Sequence, residues 1–449
     1  MATTVLWLRR DLRLLDHPAL MAAADGGGVL PLFVLDHALL RPAGDARVAF
    51  LLRSLRALDA DLRERGPGLV VRTGRPEEVV PAVVAEAGAS SVHVSADFGP
   101  YGAARDGRVA EALGGIPLVA TGSPYAVAPG RVLTREGRPF QVFTPFHRAW
   151  LRHGWRAPAA SDPAAVAWVG ADGEAIPGDP DGAGALRLPE AGERAAQAAW
   201  AAFRDHAGRY AEERDRPDLD GTSRLSAYLK IGALHPRTLL AELGPDDEAF
   251  RSELAWREFY AAVLHHWPHS ARDYFRPQLR GLPYVTGRLL EERLGAWRAG
   301  RTGYPLVDAG MRQLLSEGWM HNRVRMVVAS FLVKDLKVEW THGARHFLRH
   351  LVDGDLASNQ HNWQWAAGSG TDAAPYVRVF NPVTQSRRFD PDGAYLRRWV
   401  PELRELTGRH VHEPWKAPGG PPAGYPGPIV DHAEERAAAL ADYEHARRG

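Results

Sequence analysis

The stretch DGDLASNQHNWQW, residues 353–365, concentrates carboxylates, amides and indoles that could bind a polar heterocycle. Asp353 and Asp355 offer oxygen acceptors for a ribose hydroxyl or for the N–H of a ring. Asp353 and Asp355 are a poor metal-binding site, because no third acidic residue stands at ligand spacing and His361 is expected on the surface. Trp363 and Trp365 are two positions apart, so on a helix they point in different directions.

A second group of chemically useful residues lies in ELAWREFY, residues 253–260. Glu253, Trp256 and Arg257 stand at i, i+3 and i+4, which places them on one face of a helix. Two interpretations stay open for this face. It is either an exposed Glu–Arg pair beside a core indole, or a carboxylate, a stacking platform and a cation that line one cleft.

Hydroxyl groups precede a helical pattern in DGTSRLSAYLKIGALHP, residues 220–236. Thr222 and Ser223 come just before the helical run, and Ser226 follows one turn later. Hydroxyls and free N–H groups at a helix start can bind an anion such as phosphate. The local pattern by itself favours the simpler interpretation, a well-capped helix.

The stretch GWMHNRVRM, residues 318–326, predicts a helix with Asn322 and Met326 one turn apart. Arg323 and Arg325 flank them, and basic and amide side chains along a helix suit contacts to phosphates. Solvated helix faces explain most of the basic residues that follow, so only a minority is expected to contact DNA. These further basic residues are Lys334, Lys337, Arg345, Arg349, Arg378, Arg387, Arg388, Arg397 and Arg398.

The elements that must position these groups differ between the two ends of the chain. In the first 125 residues, short apolar runs alternate with stretches of helical periodicity at 46–66 and 76–88. The predicted strands are VLWLR (5–9), VLPLFVLD (29–36), GLVVRTG (68–74), SVHVSAD (91–97) and IPLVATG (116–122). This alternation predicts an α/β fold with a parallel five-stranded sheet covered on both faces. The first strand is not followed by a dinucleotide-binding GxGxxG pattern.

Beyond the sheet, the texture of the sequence changes twice. Residues 155–193 are rich in Ala, Pro, Gly and Asp and have weak periodicity, which is typical of a long surface connection. After residue 194 the periodicity is helical throughout, which predicts an all-α domain. The predicted divisions are therefore an α/β domain at 1–128, a connector at 129–193 and a helical domain at 194–449.

Bulk composition limits the function classes. The chain has 449 residues, a net charge of +1 and no cysteine, which excludes disulfides, Cys-ligated metal centres and a Cys nucleophile. A nucleic-acid site would have to be a local basic patch. The sequence has no apolar run of membrane-spanning length and no secretory signal, so we expect a cytoplasmic protein without membrane association.

Taken together and in order, these stretches resemble the photolyase/cryptochrome family. The collinear motifs are WLRRDLRLLDHPAL, GTSRLS, WREFY, TGYPLVDAGMRQL, GWMHNRVRM, ASFLVKDL, DGDLA and NWQWAAGSGTDAAPY, and they extend the resemblance from Val5 to about Trp415. Within the family, the chain is most similar to the class I cyclobutane pyrimidine dimer photolyases. The resemblance implies an α/β domain for an antenna chromophore, followed by an all-α FAD-binding domain.

The resemblance implies FAD, reduced in the active form, and a set of residues that hold it. Asn359 would face flavin N5, because an amide can bond a ring nitrogen without adding charge. The implied cofactor-binding residues are Tyr210, Thr222, Ser223, Arg224, Leu225, Ser226, Glu253, Arg257, Asn322, Asp353, Asp355 and Asn359. The implied catalytic residues are Glu253, Asn322, Asn359, Trp363 and Trp340.

The implied partner is UV-damaged DNA containing pyrimidine dimers, bound by a monomer. Excited reduced flavin would pass an electron to a flipped-out dimer, and a damaged pair leaves the stack at low cost. Glu253 would bond the edge of the lesion and stabilise its radical anion. The implied DNA- and lesion-binding residues are Trp256, Arg257, Asn322, Arg323, Met326, Trp365, Arg378 and Gln385.

Three features of the sequence bear on the choice within the family. Six-four photolyases carry two His one turn apart where this chain has Asn322 and Met326, which favours the cyclobutane dimer. Cryptochromes usually replace the Asn that faces N5, and many add a long tail, whereas this chain keeps Asn359. A cryptochrome-like blue-light receptor is the second hypothesis, and a flavoprotein that binds nucleic acid without catalysis is the third.

Two details depart from the family pattern. The family commonly relays electrons through three Trp; Trp363 and Trp340 match the first two, and Tyr284 is the candidate for the third. The stretches 95–109 and 46–51 resemble members that bind a deazaflavin antenna. Arg47, Asp97 and Lys230 would contact it. An 8-hydroxy-deazaflavin is favoured, although Gly99 stands where those members often have an acid. The alternatives are folate, FMN or no antenna. No metal is expected.

Overall fold

The computed structural model describes residues 2–372 and 378–448. Its strands are β1 (Thr3–Leu8), β2 (Gly28–Leu35), β3 (Val70–Thr73), β4 (Ala89–Val94) and β5 (Leu118–Ala120). They form one sheet in the order β3-β2-β1-β4-β5, and every neighbouring pair is parallel. The predicted five-stranded parallel sheet is therefore confirmed, with each predicted strand found within a few residues of its expected position.

The helices through residue 266 are α1 (Pro18–Asp25), α2 (His37–Leu40), α3 (Asp45–Arg63), α4 (Pro76–Ala87), α5 (Pro100–Ala112), α6 (Phe143–His153), α7 (Glu193–Arg204), α8 (Tyr210–Glu213), α9 (Ser226–Ile231), α10 (Pro236–Glu242) and α11 (Glu248–His266). Those that follow are α12 (Gly287–Arg298), α13 (Pro305–Glu317), α14 (Asn322–Ser330), α15 (Trp340–His350), α16 (Leu356–Ala367), α17 (Pro382–Phe389), α18 (Ala394–Trp399) and α19 (His432–Arg448). The described residues after 194 contain no strand, so the helical character predicted for this part is confirmed.

The strands are continuous apolar runs in which polar and apolar residues do not alternate, so both faces of the sheet are buried. Every residue of β2 is buried, which requires cover on both faces of the sheet. Val80, Val83 and Val84 of α4 pack with Val109 of α5 against the strand residues Val5 and Trp7 in one core. The central strand β1 is thus fixed in place, and so is the loop that follows its carboxyl end.

The chain forms two compact units. The first contains Met1–Gly184, Leu188–Gly208 and Ser223–Pro268, and the second contains Ala185–Arg187, Arg209–Thr222 and His269–Gly449. Helix α11 thus belongs to the same unit as the sheet. The divisions at residues 128 and 193 stay a prediction.

The predicted connector, residues 129–193, has more structure than its composition indicates. It contains α6, and it contacts the sheet through a parallel bridge between Val29 and Trp168. The Val29 amide donates to the Ala167 carbonyl, and the Val169 amide donates to the Val29 carbonyl. Both hydrogen bonds are 2.8 Å long. The rest of this segment is mostly irregular, as its Pro and Gly content predicts.

The second unit is built around large aromatic side chains. Trp297, Trp340 and Trp363 are all at most 2% exposed and belong to one hydrophobic core. A π-helical turn, Phe331–Asp335, directly follows α14. Such turns are rare and are often found at functional sites. The periodicity of the sequence does not distinguish this turn from an ordinary helix.

Candidate functional site

Helix α16 places three of the predicted site residues on one face. Asp355 is its N-cap and accepts a hydrogen bond from the Ser358 amide at 3.1 Å. Asn359 and Trp363 follow at intervals of four residues, so the three side chains lie above one another along the helix. The N-capping carboxylate is the local reason why the helix starts at this point.

The Asn359 side chain is held at its nitrogen. Its Nδ2 donates to the Ala344 carbonyl at 3.1 Å and to Gln360 Oε1 at 2.9 Å. Both amide protons are therefore used, which leaves Oδ1 as the end of the side chain that can accept a further hydrogen bond. An acceptor here fits a ring N–H, such as the N5–H of a reduced flavin.

The Asp353 carboxylate has a cationic partner in the same unit. Arg325 contacts both of its oxygens, at 2.9 and 3.3 Å, and also donates from Nε to the Met320 carbonyl at 2.7 Å. The arginine fixes the orientation of the carboxylate and compensates its buried charge. The sequence pattern suits Arg325 to a phosphate contact, whereas the structure gives it this internal contact.

The expectation that His361 lies on the surface is wrong. The side chain is fully buried. Its Nδ1 bonds the Ala357 carbonyl at 2.7 Å and its Nε2 bonds Ser270 Oγ at 2.9 Å. Burial lowers the pKa of His361 to about 4. The amides of Gln360 and Gln364 are buried as well, and they bond the backbone of residues 270–275, so most of this polar helix is buried.

The two indoles of the stretch are in different environments. Trp363 is 2% exposed and packs edge-on against Phe347, with ring centroids 4.9 Å apart. Trp365 is only partly buried. Gly343 of α15 lies beneath Trp363, and an added Cβ there would come within 2.2 Å of the indole. The i, i+2 spacing thus separates a core indole from an accessible one.

Helix α11 carries the second predicted group as a half-buried stripe. Glu253, Trp256 and Arg257 are partly exposed, while the residues between and after them are buried. Trp256 stacks on Phe143 with ring centroids 3.7 Å apart and planes 7° apart. Phe143 covers one face of the indole and holds its orientation. Phe143 was not predicted as a site residue, because it lies in the predicted connector.

Arg257 is fixed by contacts behind the stripe. Its guanidinium donates to the carbonyls of Pro124 and Leu229, at 3.0 and 3.1 Å, and lies over the Tyr125 ring. The neighbouring Glu258, which the sequence analysis missed, is fully buried; it accepts from the amides of Ala126 and Val127 and from the indole of Trp150. Burial raises the pKa of Glu258 to about 7 despite these donors. A carboxylate inside the apolar run EFYAAVL is the signal that could have found it.

The predicted phosphate-binding stretch forms a turn before α9. Arg224 has a φ of 50°, in the left-handed region, and the Leu225 amide donates to Ser223 Oγ at 3.4 Å. Ser226 is the first residue of the helix. The turn gathers hydroxyls and a cation into a short loop, a donor set that suits phosphate. Tyr210 lies separately at the start of α8, under the Arg214 guanidinium.

The predicted DNA-contacting residues divide into exposed and paired side chains. Asn322, at the start of α14, and Arg378 are exposed, while Met326 and Gln385 are half-buried. Arg323 is bound to Asp215 through two hydrogen bonds, at 2.6 and 3.2 Å, so its charge is already paired within the protein. It also lies 4.6 Å from the centre of the Phe389 ring.

Asp97, a predicted antenna contact, is part of a charge network in the first unit. Burial raises its pKa, but Arg10, Arg105 and Arg9 outweigh this effect and lower the pKa overall. Its Oδ1 accepts from the Gly99 amide at 3.1 Å, and Arg105 lies 3.4 Å from Oδ2. The other two predicted contacts, Arg47 in α3 and Lys230 in α9, are partly buried.

The donor set fits a flavin dinucleotide better than a metal ion. Among residues 2–372 and 378–448, no three His, Asp or Glu side chains are grouped as metal ligands. The hydroxyl-rich turn suits phosphates, the carboxylates of α16 and its preceding loop suit ribose hydroxyls, and Asn359 Oδ1 suits a ring N–H.

Within the residues that the structure describes, the helices are too short or too polar to cross a bilayer.

Fold and site together define a flavin-binding protein with an N-terminal α/β sheet and a helical cofactor region. Residues 4–164 match the family described as DNA photolyase, and residues 250–445 match the FAD binding domain of DNA photolyase. The chain is 44% identical to the deoxyribodipyrimidine photo-lyase of Streptomyces griseus, over 97% of this chain and 98% of that protein. The chain therefore belongs to the DNA photolyase family, which confirms the family inferred from the sequence motifs.

Solved structures show the same likeness. A bacterial class III photolyase from Agrobacterium tumefaciens matches with a TM-score of 0.92 and 37% identity, over 100% of this chain and 98% of that one. A cryptochrome from Synechocystis sp. matches with a TM-score of 0.88 and 28% identity, over 98% of each chain. The assignment to class I within the family stays a prediction.

Proposed function

We propose that this protein is an enzyme that repairs cyclobutane pyrimidine dimers in DNA, using light absorbed by reduced FAD. The full-length similarity to a deoxyribodipyrimidine photo-lyase supports the reaction class. The observation that carries the proposal in the structure is the aligned face of α16, on which Asp355, Asn359 and Trp363 follow one another at helical spacing. This face combines a carboxylate that can accept polar hydrogens, an amide oxygen that can accept a ring N–H, and a redox-active indole.

The cofactor would be held by residues on several elements, each contributing one kind of contact. When bound, the reduced flavin supplies the electron that light transfers to the dimer. Asn359 Oδ1 would accept the N5–H, and Asp353 and Asp355 would accept polar hydrogens of the cofactor. The turn from Thr222 to Ser226 and Tyr210 would bind its phosphates. Arg257 and Asn322 would complete the contacts, and Glu253 would act chiefly on the lesion, so its removal should leave the cofactor bound.

The lesion would be read by aromatic stacking and by one carboxyl group. Trp256 offers one indole face because Phe143 covers the other, and Trp365 is the accessible indole of α16. Stacking of a base on such rings is worth ~1–3 kcal/mol. Glu253 would bond the polar edge of the flipped dimer. Asn322, Arg323, Met326, Arg378 and Gln385 would form the surrounding lesion and DNA contacts.

The α/β domain would hold a second, light-harvesting chromophore. We favour 8-hydroxy-deazaflavin, with Arg47, Asp97 and Lys230 as contacts, over folate or FMN. The protein would act in the cytoplasm as a monomer. Release of the bound chromophores from purified protein, followed by mass analysis, identifies the antenna.

The repair reaction is tested with a synthetic oligonucleotide that contains one thymine dimer. Protein reduced with dithionite is mixed with the oligonucleotide, and one half is illuminated with blue light while the other stays dark. We expect dimers to disappear only in the illuminated half. An oligonucleotide with a six-four lesion serves as the specificity control and should remain unchanged. Loss of neither lesion under light would contradict the proposed function.

A cryptochrome-like light receptor is the second candidate, favoured by the structural match to the Synechocystis protein. A receptor would bind FAD and respond to blue light without consuming dimers. The same illuminated sample therefore separates the two candidates, because flavin photochemistry without dimer loss would favour the receptor.

A further inference from the structure

The second unit contains a chain of redox-active side chains that ends in two hydrogen-bonded tyrosines. Trp340 is fully buried at the first position of α15, and its ring meets that of Tyr274 edge to face, with centroids 5.8 Å apart and planes at 82°. Gly343 is about one turn further along the same helix and lies beneath Trp363. Trp340 is therefore in ring contact with Tyr274 and lies one helical turn from the Trp363 contact.

Tyr274 lies within hydrogen-bond distance of both a carboxylate and the second tyrosine. The Tyr274 hydroxyl donates to Glu339 Oε1 at 3.1 Å, and its oxygen lies 3.3 Å from that of Tyr284. The second Glu339 oxygen accepts from Thr341 Oγ1 at 3.0 Å. Burial, reinforced by Tyr284 and Glu339, raises the pKa of Tyr274, and burial raises the pKa of Tyr284 to about 12. Both phenols therefore keep their protons at neutral pH.

The indole of Trp340 has no comparable outlet for a proton. Its Nε1 is buried, and no hydrogen-bond partner for it is found in residues 2–372 and 378–448. An oxidised indole in such apolar surroundings keeps its proton and remains a strong oxidant. A phenol beside a carboxylate can instead release its proton as it loses an electron, which stabilises the neutral radical.

We propose that Tyr274, with Glu339 as its proton acceptor, is the terminal electron donor to Trp340, and that Tyr284 connects it to reductants in solution. The proposal rests on the proposed function, because it takes Trp363 as the indole next to the flavin. It changes the prediction for the third relay position: Tyr284 is one step further out, and Tyr274, absent from the sequence-based assignment, contacts Trp340.

The steps balance in electrons and protons. With oxidised flavin bound and excited by light, Trp363 would give it one electron, Trp340 would reduce the oxidised Trp363, and Tyr274 would reduce the oxidised Trp340. As Tyr274 loses its electron, its phenolic proton moves to Glu339, leaving a neutral tyrosyl radical and a carboxylic acid. Tyr284 then gives a hydrogen atom to Tyr274, a thiol in solution gives one to Tyr284, and Glu339 releases its proton to solvent. Tyr284 and Glu339 are both partly exposed, as these last steps require.

The surrounding structure holds this arrangement from two sides. The side chain of Gln364 on α16 accepts a hydrogen bond from the Phe275 amide at 2.7 Å and donates one to the Ser270 carbonyl at 2.9 Å. These two bonds fix the loop that contains Tyr274. The Val285 amide donates to the Lys337 carbonyl at 2.9 Å, which fixes the chain next to Tyr284. A rival path leads from Trp363 to Trp297, whose centroid is 6.1 Å away, but that indole is fully buried and its N–H is bonded to the Val328 carbonyl.

The test is photoreduction of the oxidised holoprotein in the presence of a thiol, followed by flavin absorbance and by electron paramagnetic resonance. Tyr274→Phe keeps the ring that packs on Trp340 and removes the proton. We expect photoreduction to slow several-fold and the tyrosyl radical signal to be lost. Photoreduction of Glu339→Gln should be slower than that of the wild type, and its rate should change less when H2O is replaced by D2O. Tyr304→Phe is the matched control, because it removes another buried hydroxyl, bonded to Val430, without contact to the relay.

The outcomes separate this proposal from the proposed function. Protein reduced with dithionite needs no relay, so Tyr274→Phe should then repair dimers as the wild type does. A wild-type photoreduction rate and radical signal in Tyr274→Phe would overturn the proposal, as would a loss confined to Trp297→Phe. A wild-type holoprotein that fails to repair dimers after chemical reduction would instead contradict the proposed function.

Discussion

Helices α16 and α11 both carry predicted site residues at helical spacing, but they hold them in different ways. On α16, the polar side chains of Asn359, Gln360 and His361 are buried, and each forms hydrogen bonds with its own unit. On α11, Glu253 and Trp256 form a half-exposed stripe, and the fixed contacts lie behind it.

The difference matches the proposed partners of the two helices. A cofactor that stays bound needs groups with one fixed orientation, and buried side chains that are held by hydrogen bonds provide it. A lesion that enters and leaves needs surfaces that are accessible in the free protein. Perturbing α16 should therefore affect folding and flavin content first, whereas perturbing the α11 stripe should affect DNA affinity and repair.

The largest expected effect concerns protonation of His361 on α16. Its folded-state pKa of about 4 lies below the ordinary value of 6.5, so the unfolded chain binds the extra proton first as pH falls. Stability should be fully present above pH 6.5 and should decrease towards pH 4, by roughly 3 kcal/mol from this residue. Urea unfolding measured across this pH range tests the slope.

Two variants identify the residue responsible. His361→Gln should lower stability at neutral pH and flatten the pH dependence, whereas His269→Gln, at an exposed position of the same unit, should leave it unchanged. An unaltered slope in His361→Gln would show that α16 does not carry this pH sensitivity.

The next effect concerns the space beneath Trp363. Gly343→Ala would place a Cβ 2.2 Å from the indole and 2.6 Å from Leu332, so the core must shift at a cost of about 1–3 kcal/mol. Gly295→Ala is the matched control on α12, where nothing lies within 4 Å, and it should be neutral or stabilising by up to about 1 kcal/mol. Chemical denaturation and flavin content are the measurements, and equal stability of the two variants would argue against tight packing at α16.

The smallest effect concerns the stacking surface of α11. Trp256→Leu should weaken binding of dimer-containing DNA by about 1 kcal/mol, roughly fivefold in Kd, because a leucine cannot stack on a base. Flavin content and binding of undamaged DNA should stay the same. Fluorescence titration in the dark with matched damaged and undamaged oligonucleotides measures the difference. A proportional loss for both DNAs would mean that Trp256 does not read the lesion.

Sequence periodicity was sufficient for the strands and for the spacing of the site residues along their helices. The five apolar runs became five parallel strands because nearly all of their residues are buried, and the i, i+3, i+4 pattern placed Glu253, Trp256 and Arg257 on one half-exposed face. The family motifs added the cofactor, which periodicity cannot indicate. These predictions depend on short-range spacing, which the chain itself fixes.

Contacts between distant segments could not be predicted in this way. Polar His361 was expected at the surface because nothing in the sequence shows that Ser270 and Ala357 bond it. Phe143, which covers Trp256, lies in a segment with a composition typical of a connector. Tyr274 reaches Trp340 from a loop more than sixty residues earlier in the chain.

Glu253→Ala tests most directly the central claim that the Glu253–Trp256 stripe of α11 serves the lesion, whereas the face of α16 that carries Asp355, Asn359 and Trp363 serves the flavin. The purified variant is assayed for flavin content and, after chemical reduction, for the number of dimers repaired per photon absorbed. We predict wild-type flavin content and a clearly lower repair yield. Loss of flavin, or an unchanged yield with flavin retained, would contradict the assignment of Glu253 and the division of roles between the two helices.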